Sequence, residues 1–385
     1  MPKTQLLRIA VLGAGPIGIE AALYAKACGH TVAVYERGQV GEHLARWGHV
    51  RMFTPFGANV SPLGMQVLSR EKRSKDVPAE SDLLTGRQFR EAYLVPLAES
   101  ETLLESMNPQ HVVLQVGRAT SHKKSEPEER TPFRLLVRTV NGGERIDTAD
   151  VILDCTGTYM TPNWLGDGNL PAVGEIAARQ FLPPGLEDVL GERRDFYAGK
   201  SIVLVGGGYS AATTICQLAT LAEEHPSTWV FWLTRGPRGA PLSRITNDPH
   251  RERDKLAVKA NSLATRCDGN LEFHPQTVLD EVIAHGPDKG FRVAGRTNGK
   301  PAAWDVDRVI GAVGYRADLR ISGALRVEES AGQIETREPD YFILGSKSFG
   351  RDSGFFLRDG LEQVRKAFAR IGGHPRLDLY AKKAA

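Results

Sequence analysis

The sequence is poor in the features that mark several common chemistries. Its 385 residues include four cysteines, and Cys28, Cys155, Cys216 and Cys267 stand far apart. There is no CxxC pair for dithiol exchange and no zinc spacing. No apolar run reaches the roughly 18 residues of a membrane-spanning helix. The N-terminus passes within a few residues into a strand pattern, which leaves no signal peptide and predicts a soluble, cytoplasmic protein with no membrane partner. A net charge of +3 without long basic runs gives no argument for nucleic acid. No Ser-His-Asp order and no metal-binding cluster stands out, and His250 and His274 read as loop or surface residues rather than catalysts.

The chain does have length and apolar content. At 41% hydrophobic it can build two domains with proper cores, and nothing in it reads as disordered. Cys28 and Cys216 fall in expected helices as small core residues.

Its most informative stretch runs from Arg8 to Glu36. Arg8 to Leu12 is a short apolar strand pattern that leads into Gly13, Gly15 and Gly18 at GxGxxG spacing. The first glycine permits a tight turn, the second lets backbone approach a pyrophosphate, and the third lets the following helix pack close to the strand. That helix directs free N–H groups and its positive dipole end at the phosphates. Ile17, Ala21, Ala25 and Cys28 predict one apolar stripe, and Gly29 a C-terminal cap. A second strand, Thr31 to Tyr35, ends on Glu36, where a carboxylate accepts hydrogen bonds from ribose hydroxyls.

Gln39 to Ser69, rich in glycine, proline and isolated aromatics, is expected to be a long functional loop. Gly86 to Glu99 should be a helix with Phe89, Tyr93, Leu94 and Leu97 on one face. Strand patterns at His111 to Val116 and Phe133 to Thr139 flank a charged loop, Ser121 to Thr131. A turn at Asn141-Gly142-Gly143 precedes Asp150 to Gly157 (DVILDCTG).

The same order of events then recurs. Ser201 to Val205 leads into Gly206, Gly208 and Ala211, a GxGxxA version of the fingerprint. Ala211, Ile215, Leu218 and Ala222 line one helix face, and Trp229 to Leu233 is the second strand. After a strand at Phe291 to Ala294 and a turn at Asn298-Gly299, Asp307 to Gly314 (DRVIGAVG) matches DVILDCTG in length, leading Asp and closing Gly. A last strand, Asp340 to Leu344, and a helix from about Gly354 to Arg370 are too short to form a domain alone. They are expected to return to the first unit. The expected fold is therefore α/β, two Rossmann-like three-layer ββα domains, one inserted into the other. The expected boundaries are 1–182 plus 312–385 for the first and 183–311 for the second.

Two fingerprints so arranged resemble the two-dinucleotide-binding-domain flavoproteins, which include flavin-containing, Baeyer-Villiger and N-hydroxylating monooxygenases and thioredoxin-reductase-like enzymes. The resemblance covers nearly the whole chain and implies FAD on the first fold and a nicotinamide cofactor on the second. On the FAD side it implicates Gly13, Gly15, Pro16, Ile17, Gly18, Glu36, Arg37, Val116, Gly157, Gly345 and Phe355. Trp47 resembles a tryptophan near the flavin and is equally well a packing residue. Thr54 and Asn59 lie in the stretch that runs past the isoalloxazine ring, with Asn59 the candidate catalytic residue. The helix near Gly354-Phe355-Phe356 resembles one whose N-terminus faces the flavin pyrimidine.

On the nicotinamide side the resemblance implicates Gly206, Gly208, Tyr209, Ser210, Ala211 and Gly314. Here the second strand ends on Thr234-Arg235 with no acid. A guanidinium there holds a 2′-phosphate through paired hydrogen bonds, which favours NADPH over NADH unless Arg235 is only a solvated surface residue. Arg238 and Arg244 are placed to share the load.

Three departures limit what the resemblance implies. Leu344-Gly345-Ser346-Lys347 replaces the usual GD pair, and a redox CxxC is absent, which argues against the dithiol branch. The FxGxxxHxxx(W/D) signature is absent from Tyr159 to Lys200. The leading expectation is an NADPH-using flavin monooxygenase with a small organic substrate. Open beside it are an oxidoreductase that does not activate oxygen and a non-catalytic nucleotide-binding module. A homodimer is compatible with all three. Gly157 and Gly314, at the domain crossings, read equally as hinge residues or as glycines that avoid steric clash.

Overall fold

The structure is a computed structural model that describes residues 6–71, 77–120, 131–183, 185–237, 239–266, 269–328, 332–350 and 354–381. Cys267, Arg238 and all of the charged loop but Thr131 lie outside the described residues.

In chain order the first elements are β1 (Arg8–Leu12), α1 (Pro16–Ala27), β2 (Thr31–Tyr35), α2 (Glu42–Arg46) and α3 (Pro62–Arg70). Next come α4 (Gly86–Phe89), a π turn (Arg90–Leu94), α5 (Val95–Ala98), β3 (Met107–Asn108), β4 (Val112–Arg118), β5 (Phe133–Arg138), β6 (Glu144–Ala149) and β7 (Val151–Asp154). The middle holds α6 (Glu175–Ala178), α7 (Arg194–Tyr197), β8 (Ser201–Val205), α8 (Tyr209–Glu224), β9 (Trp229–Leu233), α9 (Arg251–Thr265) and β10 (Leu271–His274). It closes with β11 (Thr277–Ala284), β12 (Phe291–Thr297), β13 (Lys300–Val306) and β14 (Arg308–Gly311), and the chain ends with β15 (Tyr341–Ile343) and α10 (Leu357–Ile371).

These elements form two compact units, Met1–Thr161 with Arg316–Ala385, and Pro162–Tyr315. The second begins earlier than the expected residue 183. Gly166 and Val173 bridge to Leu279 and Glu281 of β11, and the buried Glu175 carboxylate accepts the N–H groups of Leu165 and Ala172. These bonds tie residues 162–182 to the second unit.

The first unit is layered by strand periodicity. Its parallel sheet has the order β15-β7-β1-β2-β3. Successive side chains point to opposite faces. Ile9, Val11, Val151, Leu153 and Phe342 join Val364 and Phe368 of α10 in one core. Ala10, Leu12, Ile152, Tyr341 and Ile343 join Val116, Phe133, Leu135 and Val137 of the antiparallel β4-β5-β6 sheet in another. The second unit repeats this plan with the parallel order β10-β9-β8-β14 and an antiparallel β11-β12-β13 sheet. Ile202, Leu204, Val230 and Trp232 pack with α8 and α9, whereas Val203, Val205 and Val309 pack with Leu279, Val293 and Trp304.

Three local expectations are corrected. The Gln39 to Ser69 stretch is not a loop throughout: it holds α2, a 3-10 turn at Phe56–Ala58 and α3. Ser61 caps α3 by accepting the Gly64 N–H, and Pro62 sits at its first position. Helix α1 is buried from Ile17 to Ala25 rather than along one stripe, because elements surround it on several sides. The Gly86–Ala98 segment contains a π turn just before Val95-Pro96. Proline lacks an N–H and clashes with the carbonyl four residues back, and one extra residue per turn relieves this. Among the described residues no helix is long and apolar enough to cross a membrane.

Candidate functional site

The first glycine turn is set by close backbone approach. Gly13 has φ +97°, and a Cβ on it would lie 2.7 Å from the Cys155 carbonyl oxygen. A Cβ on Gly18 would lie 1.9 Å from the Gly13 carbonyl oxygen. Gly15 is different: a Cβ there meets nothing within 4 Å. Helix α1 starts at that open position, with no side-chain cap and no acid in its first turn. Its N-terminal N–H groups therefore face a space suited to an anion.

The acid that ends β2 reaches into this turn. Glu36 Oε2 accepts the Ala14 N–H at 2.7 Å, and Oε1 accepts the Gly38 N–H at 2.8 Å. Arg37 beside it is exposed. Ile17 meets the returning C-terminal segment: a Cβ on Gly360 would lie 2.2 Å from Ile17 Cδ1 and 3.0 Å from the Phe355 ring. Gly345 donates its N–H to Gln363 at 2.7 Å. Gly345 and Gly157 have φ +76° and +66°, in the region that favours glycine.

Other expected contacts take up local duties. Val116 is buried in the core between the two sheets. Asn59 accepts from Thr54 Oγ1 at 2.8 Å and donates to the Thr54 and Pro55 carbonyls at 3.1 and 3.0 Å. Both donors and the acceptor of its amide are thus engaged in holding the Phe56–Ala58 turn. The α10 N-terminus starts at Leu357, and Asp359 accepts the Phe356 N–H at 2.8 Å. An acid in that first turn weakens the anion-binding role expected of this helix. Trp47 packs against Gly86, whose Cβ would lie 2.5 Å from the indole ring. Its buried Nε1, like His49 Nε2, has no hydrogen-bond partner among the described residues.

Sequence reading missed two buried polar clusters. Glu20, in α1, accepts from Tyr93 at 2.5 Å and from Tyr380 at 3.3 Å. Burial raises its pKa above the ordinary 4.5, partly offset by those hydroxyls and by Ser61. Lys347 and Asp154 form the other cluster, at 2.6 Å with both side chains 0% exposed. A charged residue inside an apolar pattern was the available signal for both.

The second unit repeats the turn. Gly206 has φ +140°, and its Cβ would lie 2.3 Å from the Ala312 carbonyl oxygen. Gly208 is open, and α8 begins there with Tyr209 and Ser210, no side-chain cap and no acid in the first turn. Ala211 is fully buried, the place of the third glycine. Gly314 has φ +81°, and Asn163 holds this end of the unit through its Nδ2 bond to the Val313 carbonyl at 3.1 Å. After β9, Arg235 is exposed. Arg244 is exposed and paired with Asp254 at 2.7 Å.

A parallel sheet, a glycine turn and an antiparallel sheet are all present twice, and several solved structures share this fold. Among solved structures, the bacillithiol disulfide reductase Bdr (YpdA) from Bacillus cereus has a TM-score of 0.69 at 17% identity, covering 96% of this chain and 99% of that one. The ornithine N-hydroxylase KtzI from Kutzneria sp. 744 has 0.65 at 15%, covering 96% and 100%. Thioredoxin reductase from T. acidophilum has 0.61 at 14%, covering 96% and 98%. Among curated proteins, the ferredoxin–NADP reductase of Streptococcus thermophilus is 26% identical over 227 residues, 58% of this chain and 54% of that protein. The chain thus spans about half the length of the curated relatives it matches. No protein-family model matches the chain.

Proposed function

We propose that the chain is an FAD-dependent oxidoreductase that takes its reducing equivalents from NADPH. The observation that carries this reading is the repeated glycine turn with a second glycine that is open at both occurrences. Each opening lies at the uncapped N-terminus of a long helix. The residues present fit the two cofactors. Gly13 to Gly18 offer a pyrophosphate cradle, Glu36 an acceptor for ribose hydroxyls, and the Trp47 indole a buried N–H that lacks a partner among the described residues. In the second unit Gly206 to Ala211 offer the other cradle, and exposed Arg235 suits a 2′-phosphate. When bound, flavin and nicotinamide supply hydride chemistry, and the protein's part is binding, orientation and exclusion of water.

Within that class the leading reading is a monooxygenase with a small organic substrate. It is supported by the resemblance of the Trp47 to Asn59 segment to that branch and by the fold shared with an ornithine N-hydroxylase. A second reading, reduction without oxygen activation, is favoured by the curated relatives, which are ferredoxin–NADP reductases. Purified protein should be yellow with FAD and should be reduced by NADPH without oxygen. Oxygen is then admitted in the presence of a panel of small amines, thiols and ketones. An oxygenated product formed in proportion to NADPH supports the monooxygenase. NADPH-driven reduction of ferredoxin or a dye, with no oxygenated product, supports the second reading. Absence of flavin after incubation with FAD overturns both.

A further inference from the structure

The buried lysine of the first unit pairs with an acid that stands outside the glycine fingerprint. Strands β7 and β15 are parallel neighbours with Asp154 opposite Ile343, so both chains leave the sheet at one level. Leu344 donates its N–H to the Asp154 carbonyl at 2.9 Å. The chain then turns, and Lys347 comes back to place Nζ 2.6 Å from Asp154 Oδ2 and 3.0 Å from Thr156 Oγ1. Tyr341 donates its hydroxyl to the same Oδ2 at 2.8 Å. The other oxygen of Asp154 accepts Thr156 Oγ1 at 2.6 Å and the Thr156 N–H at 3.2 Å.

Every bond of this cluster bears on residues 154–156, where β7 ends. That segment is the wall against which the glycine turn packs. The Cys155 carbonyl oxygen and the Thr156 Cα would lie 2.7 and 3.3 Å from a Cβ on Gly13. A buried ion pair loses much of its attraction to desolvation, and apolar residues of similar volume often replace one without loss of stability. Fold stability alone therefore does not require Lys347 and Asp154. What an apolar pair lacks is an acceptor for the two Thr156 donors, which fix the shape of the wall.

We infer that Lys347 and Asp154 are cofactor-positioning residues, holding the segment after β7 in the shape that lets the Gly13 turn close on FAD. The inference rests on the FAD reading. Lys347 acts through Asp154 and Thr156 and needs no contact with the reacting atoms.

The test compares two neutral double variants of the full chain, purified as holoenzyme. Asp154→Leu with Lys347→Met removes both charges and the acceptor for Thr156. Asp154→Asn with Lys347→Met removes the charges and keeps that acceptor. The FAD dissociation constant is read from the flavin fluorescence released on dilution, with far-ultraviolet circular dichroism melts in parallel. The Leu/Met variant leaves the Tyr341 hydroxyl and both Thr156 donors without the Asp154 acceptor, so it is expected to stay folded with a lowered melting temperature. At a temperature where it is fully folded it is expected to bind FAD at least about tenfold more weakly, and the Asn/Met variant to stay within about threefold. A Leu/Met variant that binds FAD as tightly as the wild type overturns the inference. So does an Asn/Met variant as weak as the Leu/Met one, since charge rather than the turn would then matter. Should the Leu/Met variant fail to fold, Thr156→Val decides: weaker FAD binding supports the role, and wild-type binding overturns it. A wild type that takes up no flavin overturns the FAD reading and the positioning role with it.

Discussion

Glu36 Oε2 lies 2.7 Å from the backbone nitrogen of Ala14, between the first two glycines of the turn that opens the chain. Its other oxygen binds the Gly38 N–H, so one carboxylate joins the glycine turn to the end of β2. The same oxygens are the acceptors for ribose hydroxyls in the proposed FAD site. Glu36→Gln keeps the shape and loses the charge, whereas Glu36→Ala loses every bond. Fluorescence titration should show FAD affinity reduced about tenfold for the first. The second should lose more, because hydrogen bonds to charged groups contribute about 1.5–3 kcal/mol. Unchanged affinity in Glu36→Ala would remove Glu36 from the site.

The Glu20 carboxyl makes stability depend on pH in a defined direction. Burial raises its folded pKa above 4.5, so between the two values the folded chain holds a proton that the unfolded chain releases. Its contribution is then fully present below 4.5 and is lost as pH rises through the folded pKa. Glu20→Gln keeps an acceptor for Tyr93 and cannot ionise. Melting temperatures from pH 4 upward should fall more steeply in the wild type than in Glu20→Gln. Parallel curves would show that Glu20 does not titrate in this way.

Much of this was legible because it obeys short periods. The apolar runs Arg8 to Leu12 and Ser201 to Val205 announced buried strands, and glycine spacing announced both turns. Glu20 carried one signal, an acid inside an apolar run, but its partners Tyr93 and Tyr380 are distant in sequence and only the fold brings them to it. Lys347 was hidden for the same reason, since Asp154 precedes it by 193 residues. Asn59 was placed near the flavin by likeness alone, and the local turn that occupies its amide is a geometry no spacing rule encodes.

In the proposed reading Arg235 is the residue that selects between the two nicotinamide cofactors. It is exposed at the end of β9, where an acid would repel a 2′-phosphate, and Arg244 is held by Asp254. Arg235→Ala should raise the apparent Kd for NADPH about tenfold, some 1.4 kcal/mol, and leave NADH within about twofold. Stopped-flow flavin reduction over a range of each cofactor reads both constants. Equal loss for the two would mean that Arg235 supports the loop and not the phosphate.

The glycines themselves separate folding from binding. A Cβ at Gly18 would sit 1.9 Å from the Gly13 carbonyl oxygen, a backbone atom held by the turn, so Gly18→Ala must displace α1 from β1. Overpacking of this kind costs about 1–3 kcal/mol or more, and Gly18→Ala should melt well below the wild type whether or not FAD is added. Gly15 has φ −75°, which alanine adopts freely, and a Cβ there meets nothing within 4 Å. Gly15→Ala should therefore keep the flavin-free stability within about 1 kcal/mol, the range of an N-cap change. The same methyl would stand in the space proposed for the pyrophosphate, so FAD affinity should fall by tenfold or more, roughly 1.4 kcal/mol. Gly208→Ala in the second unit should repeat the pattern with NADPH, leaving FAD content normal. Melts with and without each cofactor, together with titrations, distinguish the cases. If Gly15→Ala and Gly208→Ala bind their cofactors as the wild type does, the open positions are not phosphate cradles and the two turns are structural alone.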